Sequence, residues 1–421
     1  MISGEAYLDI VWRQFRKNGP ARIALWLLGP LFLVAVLAPL LASDQPLLFF
    51  DHGETLYPWF RALWNPEQPV DFVFNMALVA LLPWAAVAAV GNVLLRRAGR
   101  AASAGWSGRQ RVLLAAGLYG LAILALVAAF SLLPQQLRPD NAYYSRSFAE
   151  EEHNDPASCH GLYAPIPFGP AEQDLPSRFQ PPGYRKADPE TWAKATDAAA
   201  HLLGTDDGGR DVLARMIYGT RISLTVGFVA VGIYLAIGIV LGATAGYFGG
   251  KIDIAICRVL EVVMLFPSFF LILTLVALLG QSIYIIMLVI GLTGWSSIAR
   301  LIRGEVLKQR SMDYVTAARA LGATHRRIIF RHILANALSP ALVAAPFGVA
   351  DAITTEAGLS LLGFGVPPPA PSWGALLELG KDNYAYWWLI IVPSLAIFLT
   401  ITLFNLVGSG LRDAMDPRLR R

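Results

Sequence analysis

Charge is scarce in this chain. Asp, Glu, Lys and Arg make up 15% of its 421 residues, where a soluble domain carries about 25%. Apolar residues take their place: 55% of the chain is hydrophobic and the mean hydropathy is +0.51. Several runs exceed ~18 nearly uncharged residues, the length that carries a helix across ~30 Å of hydrocarbon. A soluble globule is excluded, and an integral membrane protein with several spans is predicted. Cysteine is almost missing. Cys159 falls in a long polar loop and Cys257 near a helix end, a placement that argues against an internal disulfide.

Common catalytic signatures are missing too. No GxxxxGK[ST] phosphate cradle occurs, and Gly249-Gly250-Lys251 fails as one because Ile252 follows the lysine. There is no HExxH, and the six histidines are dispersed. His325 and His332, seven apart on one helical segment, read as a solvated face. Asp206, Asp207 and Asp211 around Gly208-Gly209 lack the alternation of a calcium loop, so a capping turn before a helix at 210 is the better account. No serine sits in a GxSxG elbow. The expectation is a chain that is not an enzyme, with no catalytic residue, metal or cofactor of its own. Its net charge of +4 fits a bias of short cytoplasmic loops, so no nucleic-acid partner is expected.

Eight spans are predicted, at about 23–43, 72–95, 112–134, 222–246, 254–279, 283–300, 336–356 and 387–408. The first reads as a retained start-transfer anchor, since Arg13, Arg16, Lys17 and Arg22 precede it and no small-residue cleavage site follows. The loop 96–111 carries Arg96, Arg97, Arg100, Arg109 and Arg111 without an acid, and 301–335 and the tail are also basic. These belong inside, whereas the acid-rich 44–71 and the Glu150-Glu151-Glu152 loop belong outside. Both termini are therefore expected in the cytoplasm. The domain expectation runs as follows: a cytoplasmic start and first span at 1–43, an outer loop at 44–71, a hairpin at 72–134, and an outer loop at 135–221. A transmembrane core at 222–411 and a cytoplasmic tail at 412–421 complete it. Within 135–221, a helix is expected at 189–203 and an amphipathic surface helix at 210–221. Gly238, Gly242, Gly246 and Gly250 recur every four residues, a stripe that lets helix backbones approach closely.

The loop between the spans at 283–300 and 336–356 is the most informative segment. Tyr314 and Thr316 lead into Ala317, Ala318, Arg319, Ala320 and Leu321, a short helix with a small apolar face, and Gly322 can end it in a left-handed turn. Ala323, Arg326 and Arg327 open a second basic stretch. The run TAARALGATHRRIIFRHILAN resembles the EAA-loop signature of binding-protein-dependent ABC importer permeases. LGTDDGGRDVLARMIYGTRISL, GYFGGKID, LEVVMLFPSFFLI, EAGLSLLGFGVPPPAPSWGALL and LRDAMDPR extend the likeness over 203–417, to the dipeptide and oligopeptide importers, and WRQFRKN and SDQPLLFF in the N-terminal part are most similar to the microcin C/oligopeptide branch. Thr316 stands where the signature has Glu, Ala335 where it has Pro, and the spans 72–95 and 112–134 are extra to the usual six.

What the resemblance implies is an all-α polytopic bundle of the type I importer kind, about six core helices plus the inserted hairpin. It implies a multi-pass protein of the bacterial inner membrane that moves peptides or peptide-like compounds. Partners would be two ABC ATPase subunits or domains, a second permease making a heterodimer, an extracytoplasmic substrate-binding protein, and membrane lipid. ATP belongs to the partners, whose motion would enter through 313–331. Within the spans, Glu261, Pro267, Asp351 and Glu356 are the candidates for pathway or gate, with Arg258 placed to pair with Glu261. The alternatives are an ion-coupled secondary carrier, or a permease of the same family for a non-peptide cargo such as a metal chelate.

Overall fold

The computed structural model of the chain describes residues 7–63, 70–81, 84, 108–132, 147–186 and 194–416. Its contacts divide into two units, Met1–Leu31 with Ile222–Arg421, and Phe32–Arg221. Among the described residues, Gly19–Leu41, Val212–Phe248, Ile283–Arg310 and Trp388–Met415 are long and apolar enough to cross a membrane. Two bent pairs, Gly250–Leu265 with Ser268–Leu279 and His325–Ala337 with Ser339–Leu361, bring the count to six if each pair is one crossing. The fold is the all-α membrane bundle expected.

Sequence chemistry accounts for the bends. Pro267 has no N–H to donate, and its ring keeps the preceding residue out of helical backbone. Phe266 is accordingly extended (φ −87°, ψ 131°), and the two helices meet at 85°. The second pair bends by 58° where Pro340 stands in the first turn of its helix and cannot bond the carbonyl four residues back. Just before it, Ile328–Ile333 forms a π turn.

In the first unit, the glycine stripe seats one helix on another. A Cβ at Gly238 would meet the Trp295 carbonyl oxygen at 3.0 Å, at Gly242 the Ala299 carbonyl oxygen at 2.5 Å, and at Gly246 the Arg303 carbonyl oxygen at 2.8 Å. Facing positions thus advance by about one turn as the glycines do, and Val212–Phe248 lies backbone to backbone on Ile283–Arg310. Gly250 is not part of this seam: it begins the next helix with φ +55° and nothing near it. Gly242→Ala is expected to destabilise the full chain by about 1–3 kcal/mol through overpacking. Gly232→Ala, on the same helix but in open space, should gain about 0.5–1 kcal/mol of helix propensity. Thermal unfolding in detergent separates the two; equal shifts would contradict the seam.

The chain ends also meet in this unit. Val11 and Phe15 of the helix Tyr7–Phe15 are buried with Ala21 and Ala414, and Asn18 Nδ2 donates to Asp413 Oδ2 at 3.1 Å.

The second unit holds a small sheet that no local periodicity predicts. Leu48–Asp51 pairs antiparallel with Glu54–Leu56 on one side and Cys159–Leu162 on the other. Two expectations for the outer loop are corrected here. Within the described part of 189–203, only Ala195–Ala198 is helical, as one 3₁₀ turn. Tertiary partners hold this stretch instead, with Lys194 Nζ on Glu172 at 2.7 Å and the His201 amide on the Tyr184 carbonyl at 2.8 Å. Burial and the nearby Asp44 charge push the Glu172 carboxyl above its ordinary range, against the pull of Lys194. Nor do residues 212–221 form a separate surface helix. They are the first turns of Val212–Phe248, and Ala214 and Ile217 pack with Ala38, Ala42 and Phe168.

The capping account of 206–211 fits the geometry. Asp211 Oδ1 accepts the Ala214 amide at 2.7 Å, and Asp206 accepts the Gly208 and Arg210 amides at 2.8 and 3.0 Å. Arg210 and Arg215 both donate to the other Asp206 oxygen. Gly209 (φ +72°) must be glycine, because a Cβ would run into the Asp174 backbone.

Helices Val70–Leu81 and Gly108–Leu132 fall where the extra hairpin is expected. Tyr119 OH donates to the Ala77 carbonyl at 2.6 Å, so the two touch. Most of the basic loop at 96–111 lies outside the described residues. Arg221, fully buried, ties the first of these helices down. Its guanidinium donates to the Ala35 carbonyl (2.6 Å), the Val36 carbonyl (3.3 Å), Asp71 Oδ1 (2.9 Å) and Asn75 Oδ1 (3.0 Å).

Candidate coupling surface and substrate cavity

Helix Asp313–Ala320 follows the end of Ile283–Arg310 after a short turn. It stops in a Schellman motif: the Ala323 amide bonds the Ala318 carbonyl at 3.1 Å, and the Gly322 amide bonds the Arg319 carbonyl at 3.0 Å. This requires a left-handed residue, and Gly322 supplies it with φ +78°. Thr324 then caps the helix beginning at His325, its hydroxyl accepting the Arg327 amide.

One face of the short helix is held. Val315 is fully buried, as are Ile328 and Ile333 beyond the turn. Tyr314 OH donates to Gln309 Oε1 at 2.7 Å and accepts from Asn336 Nδ2 at 3.4 Å. The other face is open: Thr316, Ala317, Arg319, Ala320, Gly322, Arg326 and Arg327 are exposed, with Ala318 and Ala323 half-buried. Leu321 stands 88% exposed at its tip. An apolar side chain so unsheltered, on a rigidly capped turn flanked by small residues and arginines, has the form of a knob that could fill a groove.

Three supports of this surface carried no sequence signal. The Tyr247 hydroxyl lies 2.7 Å from His325 Nδ1, so the histidine read as a solvated face braces the loop against the end of Val212–Phe248. Arg303 clasps Asp253 through both of its carboxylate oxygens, at 2.5 and 2.7 Å, tying helix Gly250–Leu265 of the first bent pair to the stem of the loop. Val315 anchors the helix from below.

A cavity of about 660 Å³ lies within the first unit, in the usual range for ligand pockets. It is lined by apolar side chains from Val263 to Ile272 and by hydroxyls of Tyr234, Thr293, Ser296, Ser297, Thr354 and Thr355, with Asp351 as its carboxylate. Of the four pathway candidates, Asp351 alone lines it. Pro267 sits at the bend, between the lining residues Phe266 and Ser268. Glu261 faces outward in an exposed ion pair with Arg258 at 2.7 Å, a kind of contact worth little energy. Glu356 is buried and accepts the Ser360 hydroxyl at 3.0 Å. Ser372 lies beside the same carboxyl, and Gly374 is pressed against Ser360. That cluster fastens the 362–372 loop and the start of helix Trp373–Asp382 to helix Ser339–Leu361, so the contacts favour a loop anchor over the pathway role expected for Glu356.

Known proteins are similar to this chain. A family model described as the binding-protein-dependent transport system inner membrane component matches residues 238–421. The dipeptide transport system permease protein DppC of Alkalihalophilus pseudofirmus is 40% identical over 224 residues, 53% of this chain and 74% of the relative. The chain belongs to this family of inner-membrane transport components. This permease is also 38% identical to DppC of Haemophilus influenzae, over 61% of the chain and 84% of the relative. To the oligopeptide permease OppC of that organism it is 42% identical, over 54% and 74%. A second model, the N-terminal TM domain of oligopeptide transport permease C, matches residues 6–55, and neither model reaches 56–237, within which the hairpin at 72–134 is expected. The solved MetNI methionine ABC transporter is 16% identical over 48% of this chain and 96% of that one, with a TM-score of 0.40. Membership of the family makes the permease a multi-pass inner-membrane transport subunit rather than a catalytic one.

Proposed function

We propose that this permease forms part of the pathway of an ATP-driven importer for peptides or peptide-like compounds. Two partner ATPases work it through the 313–331 loop, a second permease completes the pathway, and an extracytoplasmic binding protein delivers the cargo. The observation that carries this reading is the capped helix 313–320 with Leu321 exposed at its tip. Names of relatives at about 40% identity, which are dipeptide and oligopeptide permeases, support the cargo class. The hydroxyl-lined cavity with one carboxylate also suits a peptide, whose amides need both donors and acceptors.

Residues 222–411 act as the transport core and 72–134 as an extra hairpin ahead of it. The loop 313–331 lies on the cytoplasmic side with both termini. Packing of Val11 and Phe15 with Ala414 supports a common side for both termini, and one crossing out and one back between Arg310 and Met415 would bring the loop to that side too. Asp351 is assigned to the pathway, with Pro267 as the bend beside it, and Gly238, Gly242 and Gly246 as the static seam. Asp351→Asn should lower the maximal uptake rate while leaving assembly intact; uptake unchanged at equal expression would remove Asp351 from the pathway.

Cargo is tested by co-purifying the permease with its binding protein and identifying the bound ligand by mass spectrometry. A di- or oligopeptide is expected. A metal chelate would overturn the peptide assignment while leaving the coupling assignment standing.

A further inference from the structure

Among the described residues, one group brings three metal-capable donors together outside the transport core: Asp51, His52 and Cys159, whose ligand atoms all lie within 4.8 Å of one another. The fold builds this group from two distant segments. Asp51 and Cys159 are cross-strand partners in the sheet, 108 residues apart in sequence. His52 and Gly53, with φ +48° and +93°, make the two-residue turn after Asp51, and that turn brings the imidazole back over the sheet end. Turns of this kind favour Asn or Asp ahead of the glycine, so the imidazole is not what the backbone asks for.

We propose that Asp51, His52 and Cys159 bind a zinc-class divalent cation that staples the 48–56 hairpin to strand Cys159–Leu162. Zinc takes thiolate at about 2.3 Å and imidazole or carboxylate at about 2.0–2.2 Å, so donors around a tetrahedral ion stand about 3.3–3.5 Å apart. Here Sγ to Asp51 Oδ1 is 3.7 Å and His52 Nδ1 to the same oxygen is 2.7 Å, with all three donors within 4.8 Å of one another, a shell that rotation of the exposed His52 side chain closes. A thiolate beside an imidazole selects zinc or cobalt over magnesium or calcium. The far side of the ring is served as well. His52 Nε2 lies 3.7 Å from Asp155 Oδ2, and a carboxylate behind a ligating histidine fixes its tautomer. On binding, the cation takes the place of the proton between His52 Nδ1 and Asp51; that proton moves to Nε2 of the ring, on the side of Asp155, and the thiol proton passes to solvent. The fourth position faces water, since His52 is 68% exposed.

The test uses the full-length permease in detergent, stripped with chelator and titrated with Co(II) alone, then competed with Zn(II). One equivalent of Co(II) should bind with a thiolate-to-metal absorption in the near ultraviolet, displaced by Zn(II). His52→Asn preserves the turn and removes the imidazole, so it should weaken binding by at least a hundredfold at unchanged helical circular dichroism. Asp155→Asn should weaken it about 10–100-fold. Cys257→Ser should retain the band and Cys159→Ser should lose it. Absence of the band in the wild-type protein, or its survival in His52→Asn or Cys159→Ser, overturns the proposal.

Discussion

Leu321→Asp should cut ATP-driven uptake by roughly thirtyfold, the equivalent of ~2 kcal/mol of lost docking at an interface hot spot. The side chain is 88% exposed in the chain itself, so the substitution removes nothing from the permease's own core. Its thermal stability should move by no more than about 0.5 kcal/mol, as for other surface changes. What should fall is retention of the ATPases when the permease is captured from membranes. Ala317→Glu, on the same open face, should behave alike. Gly322→Val reaches the same end by another route: a β-branched residue at φ +78° is strained, so the Schellman turn opens and Leu321 is no longer held in place. Uptake and ATPase retention are the paired readouts. Normal values of both for Leu321→Asp would show that energy enters elsewhere.

Arg221→Met should be the most damaging single substitution for stability. The guanidinium is fully buried and serves two backbone carbonyls, Asp71 and Asn75 together. Removing one member of a buried ion pair costs about 3–5 kcal/mol, because the other charge stays behind. Against a typical stability of about 5–15 kcal/mol, that is enough to lower the yield of folded protein sharply. Arg221→Lys should rescue little, since an ammonium cannot reproduce the planar fork that reaches these acceptors. Asp71→Asn should cost less than Arg221→Met, and the double variant Arg221→Met with Asp71→Leu should be better tolerated than Arg221→Met alone. Thermal unfolding in detergent measures all four. Near-normal stability of Arg221→Met would mean that the inserted helix Val70–Leu81 is held by something other than this clasp.

Much of the plan was legible in the residues, for physical reasons that differ from element to element. Long uncharged runs announce spans because hydrocarbon leaves few other options, and Pro267 announces a bend because it lacks a donor. The Ala317–Gly322 turn is legible because a Schellman cap is written in consecutive residues. The sheet was not, since Asp51 and Cys159 pair across 108 positions and neither strand exceeds four residues. The same distance hides the His52 cluster, which no spacing rule for metal ligands would collect. Arg221 reads as a surface arginine on an amphipathic stretch; only the fold shows it buried against Asp71. Glu261 and Glu356 illustrate the converse. Both are acids within apolar runs, yet one is exposed beside Arg258 and the other is locked under a loop, while Asp351 lines the cavity.

The most direct test of the account is uptake of a labelled oligopeptide into proteoliposomes holding this permease with its partner permease, ATPases and binding protein. ATP on the loop side should drive uptake in the presence of the binding protein, an imposed proton or sodium gradient alone should not, and Leu321→Asp should abolish most of it. Uptake driven by an ion gradient without ATP would contradict the account and return the chain to the class of secondary carriers.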